Sequence, residues 1–216
     1  GDEDGWPIKQ SHRYKARDGL EIETYLTFPS SKEAKNLPVI IMPHGGPRAR
    51  DTAGWDTWVQ FFADRGYLVV QPNFRGSTGY GVEFERAGLG EWGLKMQDDV
   101  DDALAWAAKE GYADASRACV IGGSYGGYVA MRAAQRNPDL YRCAISFAGV
   151  SSLPDMMRQD RSAYFSGRSA QDYWKGQADD LKSVSPINYP EQFGIPILLV
   201  HGEKDFRVPV EHSRKM

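Results

Sequence analysis

The segment Ile121-Gly122-Gly123-Ser124-Tyr125-Gly126-Gly127 limits what this chain can fold into more than any other stretch. An apolar run, Ala118-Cys119-Val120-Ile121, leads into it, and a helix-like run over residues 128–137 leads out. That is strand, sharp turn and helix, the context a G-x-S-x-G elbow requires. The turn strains the backbone of its central residue, so small neighbours are needed, and glycines stand on both sides. The strain lifts the Ser124 hydroxyl clear of the sheet. A serine is a weak nucleophile at its free pKa and needs a base, with a third group to orient that base.

Around the elbow, strand-like and helix-like stretches alternate. Val39-Ile40-Ile41-Met42, Leu68-Val69-Val70, Cys119-Val120-Ile121, Cys143-Ala144-Ile145-Ser146-Phe147 and Ile197-Leu198-Leu199-Val200 are short apolar runs. They have the pattern of strands buried on both faces. Residues 55–64 carry Trp55, Trp58, Val59 and Phe62 at helical spacing, and residues 97–109 place Val100, Leu104 and Ala107 on one face. Asn137-Pro138 stops the helix after Ser124. Such alternation implies an α/β fold: a mostly parallel, twisted sheet with helices on both faces. Ligands of these sheets sit at the carboxyl ends of the strands.

The amino-terminal part differs. Residues 12–17 and 20–28 alternate apolar and polar about Asp18-Gly19, a strong hairpin signal. Residues 1–10 read as a tail or linker and residues 11–216 as a partial catalytic domain. Within it, residues 151–190, with Tyr164, Phe165, Tyr173 and Trp174, read as a helical cap-like segment.

Hydrophobic residues make up 41% and charged residues 25% of the 216, enough to build one large core. The net charge is −3 with Lys and Arg scattered, so no nucleic-acid footprint is present. No apolar run reaches the length of a membrane span. Cys119 and Cys143 each lie in a strand-like run and read as two reduced core residues rather than a disulfide or a reactive thiol. The four histidines are too dispersed to suggest a metal site, and no cofactor is expected.

Asp205, in His201-Gly202-Glu203-Lys204-Asp205, follows the last apolar run and thus also sits at a strand's carboxyl end. The order Ser124 then Asp205 fits the nucleophile–acid–histidine order of α/β-hydrolases. The plainer alternative is an Asp that caps a helix starting near Pro209. His44-Gly45-Gly46-Pro47 follows the first apolar strand, and its glycines can turn a backbone N–H toward a substrate. An oxyanion hole needs two such donors, and the N–H groups of Gly46 and Tyr125 are the candidates. Asn73-Phe74-Arg75-Gly76-Ser77-Thr78-Gly79-Tyr80-Gly81 lacks the Gly-Lys-Ser/Thr ending of a phosphate loop and reads as a structural loop or pocket wall. Asp98-Asp99-Val100-Asp101-Asp102 points in several directions on a helix, so it reads as a solvated face rather than a metal site.

The base is harder to place. His12 lies in the hairpin, His44 in the glycine loop, and His201 at the end of the strand before Asp205. Only His212 follows Asp205, in the first turns of a helix that Pro209 can start. A triad histidine belongs on a loop beyond a further strand. His212 is therefore a weak candidate, and the base is expected beyond Met216.

From about Tyr14 onward the chain resembles the catalytic domain of the prolyl oligopeptidase family, close to its acylaminoacyl peptidases and dipeptidyl peptidases. The resemblance rests on separated motifs: the Arg-Asp-Gly hairpin, His-Gly-Gly-Pro, Asn-Phe-Arg-Gly-Ser-Thr-Gly-Tyr-Gly, Gly-Gly-Ser-Tyr-Gly-Gly and His-Gly-Glu-Lys-Asp-Phe-Arg-Val-Pro. It implies an α/β-hydrolase fold and a serine peptidase acting on short peptides. Ser124 is then the nucleophile, Asp205 the triad acid, and Gly46 and Tyr125 the oxyanion donors. Arg207 matches a position that holds a substrate backbone carbonyl, a task suited to a fixed guanidinium fork. A carboxylesterase on the same fold and a non-catalytic hydrolase-like module are the alternatives.

Family members also carry an amino-terminal β-propeller, a final strand and the triad histidine. The expectation is a hydrolase domain without these parts, weakly active or inactive by itself. Its last strand is then expected to present an unpaired edge through which the chain self-associates.

Overall fold

Asp18-Gly19 closes the first hairpin, with Gly19 at φ 89° and its N–H donated to Ala16 O at 2.8 Å. In the computed structural model, which describes residues 7–30, 33–162, 173–174, 177 and 180–216, β1 (Lys9–Lys15) and β2 (Glu21–Thr27) pair antiparallel about this turn. β1 begins at Lys9, inside the stretch that reads as a tail. Lys9 and Gln10 give no apolar signal, yet they pair with Thr27 and Leu26.

Five more strands complete one sheet: β3 (Leu37–Ile41), β4 (Leu68–Pro72), β5 (Ala113–Gly123), β6 (Cys143–Phe147) and β7 (Ile197–Val200). The spatial order is β1-β2-β4-β3-β5-β6-β7. β2 meets β4 antiparallel, and every pairing from β4 to β7 is parallel. All five residues of β4 are buried, as its unbroken apolar run requires. At β7 the pattern alternates, and Leu198 and Val200 are exposed at the sheet's edge.

The helices divide between the two faces. α1 (Thr57–Asp64) is capped by Asp56, whose side chain accepts from Val59 N at 3.0 Å. It packs Val59 and Ala63 on Val69 of β4. Leu68 and Val70 point the other way, into the main core with α3 (Lys95–Lys109) and α4 (Tyr125–Arg136). Between α1 and α3 the chain forms one short helix that the sequence pattern did not mark, α2 (Val82–Arg86). The apolar face expected over residues 55–64 is only partly realised. Trp55 precedes the helix, and Trp55 and Trp58 are each 64% exposed. α4 is buried along nearly its whole length, as suits the helix behind a central strand.

After β6 come α5 (Leu153–Ser162) and two single turns at Pro186–Asn188 and Pro190–Gln192, then β7 and α6 (Glu211–Arg214). Within residues 151–190, read as a helical cap-like segment, α5 is helical. Tyr164 and Phe165 lie outside the described residues.

Two sequence readings are corrected by contacts across the fold. Cys119 and Cys143 are not reduced: they form a disulfide with a Cα–Cα distance of 4.8 Å. The parallel register of β5 and β6 sets the two residues directly opposite each other, inside the roughly 4.4–6.8 Å span a disulfide needs. The acidic run on α3 is not a solvated face either. The Asp99 side chain is 0% and that of Asp101 3% exposed. Asp99 receives Arg75 through Nε at 2.8 Å and Nη2 at 2.7 Å, and through the Arg75 backbone N–H at 2.9 Å. The other side of the same guanidinium grips Asp18 at 2.8 and 2.9 Å. Asp101 accepts from Tyr141 Oη and Asn137 Nδ2. One buried arginine therefore ties the hairpin turn, the glycine-rich loop and α3 together. Among the described residues, no group of three His, Cys, Asp or Glu side chains could hold a metal ion.

Candidate active site

Ser124 stands between the last residue of β5 and the first of α4, at φ 55° and ψ −118°. A positive φ costs a serine about 1–2 kcal/mol, so the surroundings must hold it there. Its N–H donates to Phe147 O at the end of β6 at 2.9 Å, and its carbonyl accepts from Tyr128 N at 3.0 Å. Both contacts tie the elbow's backbone to regular structure and leave the side chain free of that task. The helix must start very close to β5. A Cβ on Gly122 would stand 2.4 Å from Gly126 C, and one on Gly126 would stand 2.2 Å from Pro43 O. These two glycines are what the turn demands.

The loop after β3 approaches from the other side. A Cβ on Gly45 would lie 3.2 Å from Gly123 O and 3.5 Å from the Ser124 Cβ. His44 fixes this loop: Nδ1 lies 2.7 Å from Gly45 O, Nε2 2.8 Å from Ser77 Oγ, and the ring stacks on Phe74 at 4.3 Å. Burial pushes its pKa down to about 4, against the opposing pull of the Gly45 carbonyl. The ring is thus neutral at pH 7, with its proton on Nδ1 donated to Gly45 O. Gly46 follows at φ 123°, with a cis bond to Pro47.

Gly46, Ser124, Tyr125 and Arg207 line one cavity of about 450 Å³. The Tyr125 ring is 1% exposed and packs edge-on against Trp92 at 4.6 Å, so its side chain is core. Its backbone is different. As the first residue of α4, it carries one of the N–H groups that a helix cannot satisfy internally. The positive end of the helix dipole adds to the same point.

Asp205 does not line this cavity. It lies in the turn after β7, where Oδ1 accepts from Arg207 N and Val208 N, each at 2.9 Å. The carboxylate orders this turn but does not cap the helix after Pro209, whose N-cap is Val210 with no side-chain cap. The turn delivers Arg207 to the cavity wall, where Nη1 pairs with Asp160 Oδ1. Asp160 lies on α5 and is 6% exposed, and its Oδ2 accepts from Trp174 Nε1 at 2.8 Å. Trp92 Nε1 donates to Tyr173 Oη at 2.6 Å on the same wall. Neither Asp160 nor Trp92 carried a sequence signal, for each sits outside any motif and meets the site only through the fold.

None of the four histidines lines the Ser124 cavity. His12 is on β1 and His44 serves the glycine loop. His201 spends Nδ1 on Ser213 Oγ (2.7 Å) and Nε2 on Val208 O (2.8 Å), with Asp205 Oδ2 3.9 Å away. His212 is 5% exposed, and its Nδ1 accepts from Ser151 N at 3.1 Å and Ser152 N at 3.3 Å. Burial lowers its pKa. It faces a separate cavity with Asp155 and Arg158.

A serine on a strand–turn–helix elbow, faced by a glycine loop from another parallel strand, defines an α/β-hydrolase. The sequence matches the prolyl oligopeptidase family over residues 54–216, and the chain belongs to that family. It is 36% identical, over 96% of its length, to dipeptidyl aminopeptidase BIII of Pseudoxanthomonas mexicana, and covers 32% of that protein. To the acylamino-acid-releasing enzyme of Sus scrofa it is 31% identical over 96% of its length, covering 29% of the relative. Among solved structures, puromycin hydrolase superposes with a TM-score of 0.88 at 28% identity, over 100% of this chain and 33% of that one. Acylaminoacyl peptidase of Pyrococcus horikoshii superposes with a TM-score of 0.83 at 27% identity, over 97% and 34%. The chain thus spans about a third of the length of these relatives.

Proposed function

We propose that this chain carries the nucleophile and the oxyanion-binding groups of a serine peptidase that hydrolyses short peptides. Ser124 Oγ attacks the peptide carbonyl carbon. Its proton passes to a histidine that Asp205 orients through Oδ2, the oxygen its own turn leaves unused. That histidine is not one of the four present here. The developing oxyanion accepts from the N–H groups of Gly46 and Tyr125, a contribution worth about 3–4 kcal/mol per donor in related chemistry. Arg207 receives a substrate carbonyl. The histidine then protonates the departing amine, and water releases the acyl group by the same route.

The observation that supports this most is the convergence of four sequence-chosen residues, Gly46, Ser124, Tyr125 and Arg207, on one cavity. A peptide rather than a simple ester as substrate is supported by the names of the relatives, dipeptidyl aminopeptidase and acylamino-acid-releasing enzyme.

The test is intact mass spectrometry of the full-length protein with a fluorophosphonate probe, beside a panel of peptide amides and p-nitrophenyl esters. One adduct, lost in Ser124→Ala, with turnover of amides, is expected. Turnover of esters alone would make the enzyme a carboxylesterase. No Ser124-dependent adduct would leave a non-catalytic module.

β7 offers a surface for self-association. It ends the sheet, and Phe147, Leu198 and Val200 are exposed beside it. A second copy of this 216-residue chain pairs along that edge. Light scattering across a concentration series checks this, and a monomer throughout would remove it.

A further inference from the structure

We propose that Asp160 is the positioning residue for Arg207, and that Trp174 in turn fixes Asp160. This rests on the reading of Ser124 and Arg207 given above. The asymmetry of the pair carries it. In this ion pair the Asp160 side chain is 8% exposed and that of Arg207 60%. A buried carboxylate must have both oxygens satisfied. Asp160 meets this with one bond to Trp174 Nε1 through Oδ2 and one to Arg207 Nη1 through Oδ1. The Trp174 ring is itself 5% exposed, packed 5.5 Å from Trp92 and 5.7 Å from Tyr173. The carboxylate is therefore anchored from the protein side, independently of the arginine.

Arg207 is anchored only where these contacts hold it. Its backbone N–H is taken by Asp205 and its guanidinium by Asp160. A long exposed side chain otherwise samples many rotamers, and each binding event would have to restrict them again. With Nη1 held, the planar fork is fixed, and among the described residues its Nε and Nη2 have no other partner. Those donors are left for an acceptor in the cavity that Asp160 and Arg207 share with Ser124. The Asp160 charge is spent on the arginine and the indole. The wall therefore offers a substrate carbonyl-binding donors, and not a free carboxylate for an ammonium group.

Asp160 acts through Arg207, so its removal must be silent when Arg207 is absent. The test is steady-state kinetics on the full-length protein with Asp160→Asn, Asp160→Glu, Arg207→Ala and the double variant. Two substrates are compared: a peptide amide with two residues before the scissile bond, and p-nitrophenyl acetate, which has no second carbonyl. Asp160→Asn is expected to raise KM for the peptide roughly tenfold, with a much smaller change in kcat and a smaller loss on the acetate. Asp160→Glu is expected to restore part of the loss. In the Arg207→Ala background, Asp160→Asn is expected to change KM by less than about twofold.

Additive losses in the double variant, or equal losses on both substrates, would overturn the proposal. So would a loss confined to substrates with a free amino terminus, which would make Asp160 the ammonium acceptor. If Asp160→Asn does not fold, Trp174→Phe keeps an aromatic ring at the position and removes the indole N–H together with the five-membered ring that carries it. It should then raise peptide KM through Arg207 in the same coupled way, and no coupling there counts against the proposal. Wild-type enzyme without Ser124-dependent turnover of either substrate would bring down the serine peptidase reading, and this inference with it. Normal wild-type turnover without coupling brings down this inference alone.

Discussion

Gly126 lies directly beneath the carbonyl of Pro43, so close that a Cβ there would stand 2.2 Å from the oxygen. The first turn of the helix behind Ser124 thus rests on the chain that leads into the His44-Gly45-Gly46 loop. Alanine normally favours a helix interior over glycine by about 1 kcal/mol. Here the contact is with backbone and cannot rotate away. Gly126→Ala is expected to destabilise the protein by about 2–4 kcal/mol, overriding its propensity gain. Thermal and urea unfolding measure it. An unchanged or raised Tm would falsify the close approach.

The disulfide makes a separate prediction. It joins residues 24 apart in sequence on neighbouring strands. Closing a loop of that size is worth about 3–4 kcal/mol in the chain-entropy account. Replacing both cysteines by serine is expected to lower stability by that order. Thiol titration of the unfolded, unreduced protein should find no free thiol, and two after reduction. Two thiols before reduction would return the pair to the reduced state that the sequence suggested.

The pH dependence follows from His44. Its folded pKa, about 4, lies below the ordinary 6.5. A group depressed in this way contributes its stability above the unfolded value, and loses it as pH falls from about 6.5 through about 4. The full contribution is on the order of 3 kcal/mol. Asp51, pushed up to about 6 by burial, has the opposite sign. Comparison with His44→Gln isolates the imidazole. Urea midpoints measured between pH 7 and pH 4 should fall more steeply in wild type than in His44→Gln, and parallel curves would refute this.

Arg75 offers the sharpest test of the core. Removing one partner of a buried ion pair typically costs about 3–5 kcal/mol. Arg75→Ala leaves Asp99 without its charge partner and cuts the Asp18 turn loose. The loss should therefore exceed that of Asp18→Ala, which leaves Arg75 its inner partner. Equal losses in denaturant unfolding would show that the pair with Asp99 carries little.

Much of this was legible in the sequence because it is local. The five apolar runs became β3 to β7, and the residues chosen from the Gly-rich motifs, Gly46, Ser124 and Tyr125, share a cavity. Strand period and turn chemistry act over a few residues, so a sequence displays them. What the sequence hid depends on register and on long separations. Nothing beside Cys119 shows that Cys143 will lie opposite it, and nothing in α3 shows that Asp99 will face Arg75, 24 residues earlier. Asp160 and Arg207 are 47 residues apart and meet only after β7 has docked. Trp58, conversely, shows a helical period that the structure leaves exposed, because period tells which residues share a face and not what covers it.

The strand order β2-β4-β3-β5 also governs how the chain can be made. A ribosome releases β3 before either of its neighbours exists, since β4 ends at Pro72 and β5 at Gly123. At roughly 5–20 residues per second, the central strand waits on the order of 4–16 s for its second partner. Throughout that interval an apolar strand stands with at least one open edge. The nascent chain should bind chaperones most strongly between the emergence of Ile41 and that of Gly123, and release them once the serine elbow has formed.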